Sequence, residues 1–257
     1  MHLVTITNLL IIVGLGAALG FLGGLFGIGG GIIAIPLLVS FFDMDQASAQ
    51  GTVLVMMVPN LLIAWWRYSQ RHPVPWMTAI KIGLLASCAT WLMAHIATRI
   101  ESGLLRTFFS VFLLFLAVRL LSKNRVSTPT EVESRLNPRL MPLVGVIGGS
   151  TMGLLGIGGG LVATPIFTSW FGQRQTAAQG LSLALVAPSS VIALATYSIG
   201  QRVDWSMGLP LAIGGLFTVS AGVALAYRLP ERKMRIAFAW MLLSTAIWVL
   251  LKSRFLN

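Results

Sequence analysis

The segment Phe26–Pro36, FGIGGGIIAIP, returns 129 residues later as LGIGGGLVATP, Leu155–Pro165. The same ungapped offset superposes Phe42 on Phe171, Gln46 on Gln175, Ala49-Gln50-Gly51 on Ala178-Gln179-Gly180 and Pro59 on Pro188. It continues through Tyr68 on Tyr197, Trp76 on Trp205, Arg99 on Arg228 and Arg106 on Arg235. The chain is a tandem duplication, so its fold has to accommodate two related units. Glycine-interrupted apolar segments at matching places in two halves point to the binding site of a membrane carrier.

The sequence around the motifs has the solvent preference such a site needs. Hydrophobic residues make up 56% of the chain and charged residues 10%, with a mean hydropathy of +0.85. That leaves too little polar surface to cover a soluble globule, and the chain reads as an all-α integral membrane protein embedded in a lipid bilayer. Apolar runs of about 20 residues, the length that crosses the hydrocarbon, occur near 47–66, 76–98, 103–121, 177–199, 205–227 and 234–251. Two further apolar segments, 3–42 and 140–171, carry the glycine motifs. The apolar N-terminus lacks a basic leader and runs straight into the first motif, so it reads as a retained segment.

A net charge of +11 would suggest a nucleic-acid partner in a soluble protein. Here the cations fall in short loops between spans, where they report topology, and no nucleic acid is expected. The single cysteine, Cys88, excludes an internal disulfide and is expected to be an inert core thiol. His2, His72 and His95 are dispersed, so neither a metal site nor a cofactor is expected. No nucleophile, base and acid converge in the sequence, so the chain is read as a non-enzyme with no catalytic residues.

Residues 1–121 form repeat 1, the polar stretch 122–139 is a linker, and residues 140–257 form repeat 2, all within one transmembrane domain. If each glycine segment crosses once, Lys and Arg divide weakly, 11 against 7. If each instead folds back as a re-entrant hairpin of two shorter helices, every repeat has three full spans and the repeats are inverted. In that arrangement only Arg99, Arg106, Arg202, Lys252 and Arg254 lie on one side, and the other 13 of the 18 cations lie opposite. The positive-inside rule favours this hairpin model, with both termini outside the cytoplasm. The stretch Ile32–Phe42 agrees: at about 1.5 Å per residue it reaches about half way across the hydrocarbon core.

Gly24, Gly27, Gly29, Gly30 and Gly31 fall within eight residues, which should break the helix there. Broken backbone is tolerated at membrane depth only where it faces protein or a water-filled cavity. The helices after the breaks should start near Gly30 and Gly159, with Gly29, Gly31, Gly158 and Gly160 completing the two turns. Their free N–H groups and positive dipole ends would face the middle of the membrane, where two of them could bind an anion without a charged side chain. The alternative is that the glycines allow close helix packing.

The paired G-x2-G-I-G-G-G-x4-P pattern and the following A-Q-G triplets resemble the TauE/SafE family of sulfite exporters, over about residues 10–251. The resemblance implies transport of a small sulfur-containing anion, such as sulfite, a sulfonate or sulfoacetate, across a bacterial inner membrane by a multi-pass protein. Gln50 and Gln179 begin the spans after the half-helices, where a neutral amide can donate to an oxyanion without the cost of a buried charge. Either glutamine could instead cap a helix. Pro59 and Pro188 should kink their spans and turn Asn60 and Ser189 towards the cavity. All seven acids map to loops or span ends, which leaves His95 as the one weak candidate for proton coupling. The leading function is export. Uptake of an organosulfur or carboxylate anion and a passive anion channel are the alternatives. Carriers of this size commonly form homodimers, although no motif in the chain encodes one.

Overall fold

The computed structural model describes residues 6–26, 29–71, 76–122, 137–173, 175–226 and 231–255. Residues 123–136, most of the expected linker, lie outside the described residues, as do Gly27 and Ile28 of the first motif. The described chain is helical: α1 (Ile6–Phe26), α2 (Gly31–Phe41), α3 (Gln46–Arg71), α4 (Trp76–Ala97), α5 (Ser102–Ser122), α6 (Leu143–Leu155), α7 (Gly160–Phe171), α8 (Gln175–Ile199), α9 (Trp205–Ala226) and α10 (Glu231–Phe255). A 3-10 turn, Pro138–Leu140, precedes α6. Among the described residues six helices, α1, α3, α4, α5, α8 and α9, are long and apolar enough to cross a membrane; α1 takes the place of the expected run 234–251, of which the shorter apolar stretch Ile236–Val249 of α10 is described.

The helix bounds follow the 129-residue offset closely: α4 and α9 match at both ends, and α2 and α7, α3 and α8, α5 and α10 at their starts. The helices that precede the breaks differ. α6 has 13 residues and α7 12, the two short arms expected of a hairpin. α1 has 21, enough to span by itself, while its partner α2 has 11. The reason is local. Pro142 sits at the N-cap of α6, and proline cannot supply the backbone N–H that a longer helix would use there. The corresponding stretch of α1 is uninterrupted by proline.

α3 and α8 form the centre, with 67% and 61% of their spanning windows buried against 28–44% for the other candidate spans. They run antiparallel: Gln50 on α3 meets Tyr197 on α8, whereas Met57 and Val186 both flank Gly158. α1 packs along α9, and α6 along α4, so the first helix after each start of the duplication lies against the fourth helix of the other copy. Both contacts are parallel and run on glycine ladders. A Cβ on Gly16, Gly20 or Gly24 would strike the main chain of Leu211, Gly215 or Val219; one on Gly145, Gly149 or Gly153 would strike that of Ile82, Ala86 or Thr90. Small residues let apolar helices approach until dispersion and interhelical hydrogen bonds hold them. Thr90 Oγ1 donates to the Gly149 carbonyl at 2.9 Å and Thr218 Oγ1 to that of Ala17 at 2.6 Å. Each such bond contributes about 0.6 kcal/mol in a membrane protein. Gly24 is therefore a packing glycine inside α1 and not part of the break, a correction to the sequence reading.

The outer surface is apolar. Leu10, Phe115 and Phe217 are exposed, as are Trp65, Trp66, Trp76, Trp170, Trp205, Trp240 and Trp248, consistent with contact with lipid and its interface. Cys88 also lies on this surface, where a core position was expected. α4 turns Ile82, Gly83, Ala86, Thr90 and Ala94 inward, and Cys88 is out of phase with that stripe.

Candidate functional site

Both chain breaks fall where the glycine spacing places them. Gly29 (φ 67°) and Gly158 (φ 85°) occupy equivalent left-handed positions, which side chains disfavour by about 1–2 kcal/mol. α2 then starts at Gly31 with Gly30 as N-cap, and α7 at Gly160 with Gly159 as N-cap. The two caps differ: Gly30 is left-handed at φ 87° and Gly159 is right-handed at φ −65°.

The breaks touch. A Cβ added to Gly31 would lie 3.2 Å from the carbonyl oxygen of Gly156, the C-cap of α6. Fully buried Met57 lies between them, its side chain against Gly29 and Gly31 and 3.9 Å from a Cβ on Gly158. Val186 is its counterpart in the second copy. The first N–H groups of α2 and α7 have no intrahelical acceptor, as at any helix start; Gly31 at the start of α2 faces Gly156, and Gly160 at the start of α7 packs against Val186 and Ser182.

Gln50 packs against the second break, its Cβ 3.2 Å from a Cβ on Gly156. It is fully buried. The Tyr197 hydroxyl lies 2.7 Å from Gln50 Oε1, and the hydroxyl oxygen is also 3.0 Å from the Gly153 carbonyl oxygen, a second acceptor for its one hydrogen. Gln50 Nε2 is buried without a partner. Asn60, nearly three turns further along α3, is 3% exposed, and neither Oδ1 nor Nδ2 has a partner. Buried polar atoms are nearly always paired, and Gln46 Nε2 and Arg106 Nε share this unpaired state with them.

The equivalent residues of the second copy behave differently. Gln179 is exposed and stands apart from the junction. Ser189 is buried, but its hydroxyl donates back to the Leu185 carbonyl at 2.6 Å, within its own helix. Both helices continue through their prolines, Pro59 and Pro188. The structure thus brings Gly29, Gly30, Gly31, Gln50, Gly158, Gly159 and Gly160 to one junction, places Asn60 one turn beyond Met56 against Gly215, and leaves Gln179 outside.

The pairing of repeats drew attention to Tyr68 and Tyr197 but assigned them no role. Thr164 and Ser182 were missed altogether. Their hydroxyls lie 2.8 Å apart beside the start of α7, with the Ser182 Cβ 3.8 Å from a Cβ on Gly160. Their counterparts are Ile35 and Val53, so a search for duplicated polar residues passes over them.

The end of the bundle nearest Gln50 is fastened by polar contacts. Arg202 pairs with Asp45 at 3.5 Å and donates to the Thr98 carbonyl at 3.4 Å. The Asp204 amide donates to Thr52 Oγ1 at 3.0 Å, and the Gln46 amide to Ser102 Oγ at 2.9 Å. Asp45 and Asp204 also cap α3 and α9 through their Oδ1 atoms. Lys81 and His95 are exposed on α4, His95 stacked on Trp91 at 5.9 Å, and neither reaches the junction. Among the described residues no group of His, Cys, Asp and Glu could hold a metal ion.

These features define a multi-pass α-helical membrane protein with a buried polar junction between two broken helices. The family model "Sulfite exporter TauE/SafE" matches residues 12–249, and the chain belongs to that family of membrane transporters. A probable membrane transporter protein of Methanocaldococcus jannaschii is 29% identical over 258 residues, covering 95% of each chain. One of Xylella fastidiosa is 26% identical and covers 97% of each. A "Sulfite exporter TauE/SafE family protein 3" of Arabidopsis thaliana is 28% identical over 43% of this chain and 23% of its own length. No solved structure matches the chain.

Proposed function

We propose that the protein is a secondary transporter that exports a small sulfur-containing anion, sulfite or a sulfonate, across the bacterial inner membrane. The observation that carries this reading is the contact between the two glycine breaks beside a fully buried amide with a free nitrogen. Two helix starts supply backbone donors and positive partial charge, and Gln50 supplies N–H groups, so an oxyanion gains hydrogen bonds without a buried cation. Asn60 would extend the same polar path along α3.

The opposition of α3 and α8, helices at equivalent sequence positions, supports reading residues 1–121 and 140–257 as inverted repeats joined by the linker 122–139. The positive-inside count then puts the end fastened by Arg202 and Asp45 outside the cytoplasm. Alternating access would move the α6–α7 hairpin against α3 and open the junction to each side of the membrane in turn. Met57, packed between the breaks, weighs against a permanently open channel.

Flux of labelled sulfite into proteoliposomes, in competition with sulfonates and carboxylates, tests the proposal. Saturable uptake blocked by sulfonates supports it. Uptake blocked only by carboxylates would make the protein a carboxylate permease, and the absence of any anion flux would remove the transport reading.

A further inference from the structure

Arg106 lies within a candidate span, Ser102–Arg119, and has no counter-ion. Among the described residues the one ion pair joins Arg202 to Asp45. Arg106 is half-buried, and its Nε is buried without an acceptor. A cation held inside a membrane protein usually marks an ion path. Its surroundings supply more donors. α3 and α5 start side by side, where the Gln46 backbone N–H donates to Ser102 Oγ at 2.9 Å. The Gln46 side chain is buried, the residue only 1% exposed, and its Nε2 is unpaired. Ser102 Oγ accepts from Gln46, and its own hydrogen goes to no described group. Ser102 and Arg106 stand at i and i+4, on one face of α5. The flanking carboxylates do not neutralise this corner: Asp45 is engaged by Arg202 and by the amides of Ala47 and Ser48, and Glu101 is exposed, its Oε1 3.9 Å from a Cβ on Gly103. The 129-residue offset pairs Gln46, Ser102 and Arg106 with Gln175, Glu231 and Arg235. The second copy thus carries an acid four residues before its arginine, where the first carries a serine.

We propose that Gln46, Ser102 and Arg106 form a second oxyanion site, a way station between the Gln50 junction and the bundle end fastened by Arg202 and Asp45. Gln46 and Gln50 are one turn apart on α3, about 6 Å along its axis, so the site lies on the approach to the junction. The inference rests on the transport reading for its ligand, a small sulfur oxyanion; the site itself follows from the unpaired donors. An anion there completes the bonds that Arg106 and Gln46 lack. The Gln46 amide can turn either end inward, whereas a guanidinium donates in every orientation and keeps its proton. Arg106 therefore supplies most of the affinity. Placed one turn from the junction, the cation draws the anion towards the end of the bundle without holding it at Gln50. Ser102, in the place of an acid, leaves that charge free for the ligand. A phospholipid phosphate presents the same kind of oxygens, and the test separates the two.

The test is equilibrium binding of labelled sulfite to purified protein in dodecyl maltoside, with thermal unfolding and the phospholipid phosphorus carried by each variant measured alongside. Gln50→Ala should still bind sulfite. Adding Arg106→Gln to it should weaken that binding about 10- to 100-fold, the size of a charge-assisted hydrogen bond. Adding Gln46→Leu instead should weaken it at least about fivefold, with no fall in unfolding midpoint, because an unpaired buried amide gives way to an apolar side chain of similar size. If Arg106→Gln does not fold, Gln46→Leu decides alone. Sulfite binding that Gln50→Ala abolishes overturns the inference, as does residual binding indifferent to both changes. A lower unfolding midpoint with unaltered binding assigns Arg106 a structural role and overturns it too. Loss of bound phospholipid phosphorus in Arg106→Gln with unaltered sulfite binding makes the corner a headgroup contact, which also overturns it. Absence of sulfite binding by the wild type overturns the transport reading and this inference together, an outcome separate from wild-type binding lost in Gln50→Ala.

Discussion

The two copies of the glycine motif share a backbone plan and differ in what surrounds it. In the first copy, Gln50 is sealed against the opposite break and held by Tyr197; its counterpart Gln179 is exposed. In the second, Thr164 and Ser182 place hydroxyls beside the start of α7, where the first copy has Ile35 and Val53. The duplication supplied two equivalent backbone breaks, and the residues around them differ. A carrier built this way need not bind its ligand symmetrically, and one half can hold it while the other admits it.

The sharpest test of that inequality compares Gln50→Ala with Gln179→Ala. Charge-assisted hydrogen bonds contribute about 1.5–3 kcal/mol, so Gln50→Ala should raise the KM for sulfite by about 10- to 100-fold. Gln179→Ala should change it less than about threefold. Equal effects would break the comparison and return the two glutamines to equivalence.

The breaks themselves should also respond unequally. Gly30 needs a left-handed backbone and a Cβ there would come 2.8 Å from the Leu19 carbonyl, whereas Gly158 is left-handed with nothing nearer than 3.9 Å. Gly158→Ala should bear only the conformational strain, about 1–2 kcal/mol, or about 2–8 °C in unfolding midpoint. Gly30→Ala should lose more. A smaller loss at Gly30 would mean that its neighbours give way.

How much of this was legible in the sequence depended on whether the signal was local. The chain breaks at Gly29–Gly31 and Gly158–Gly160 were readable because glycine acts on its own backbone. The GxxxG ladders were readable in principle, at Gly16, Gly20 and Gly24 and again at Gly145, Gly149 and Gly153, but they were overshadowed by the denser motif that follows, which is why Gly24 was assigned to the break. The partner of Gln50 was not readable: Tyr197 is 147 residues away on the other copy. Nor was the outward position of Cys88, since hydrophobicity cannot separate lipid-facing from buried positions in a membrane helix. The different setting of Gln179 was hidden for a related reason, because a sequence alignment equates positions whose surroundings differ.

Two smaller effects refine the picture. Met57→Ala removes the side chain between the breaks and should add a non-saturating leak of small anions, read as sulfite efflux that no longer saturates; its counterpart change Val186→Ala should add less. Arg202→Gln removes an ion pair whose partners are 38% and 39% exposed. Surface pairs contribute about 0–1 kcal/mol, so the unfolding midpoint should fall by no more than about 4 °C. A larger fall would make that fastening a principal stabiliser of its end of the bundle.

The central claim is that the junction of the two breaks, with Gln50 at its edge, is the anion site of a carrier. Counterflow measures it most directly: proteoliposomes loaded with unlabelled sulfite are diluted into a trace of labelled sulfite, with wild type and Gln50→Ala compared. The account predicts transient accumulation of label by wild type above its equilibrium level, and little or none by Gln50→Ala at the same internal concentration. Accumulation by both proteins alike would place the site elsewhere, and simple equilibration by wild type would make the protein a channel.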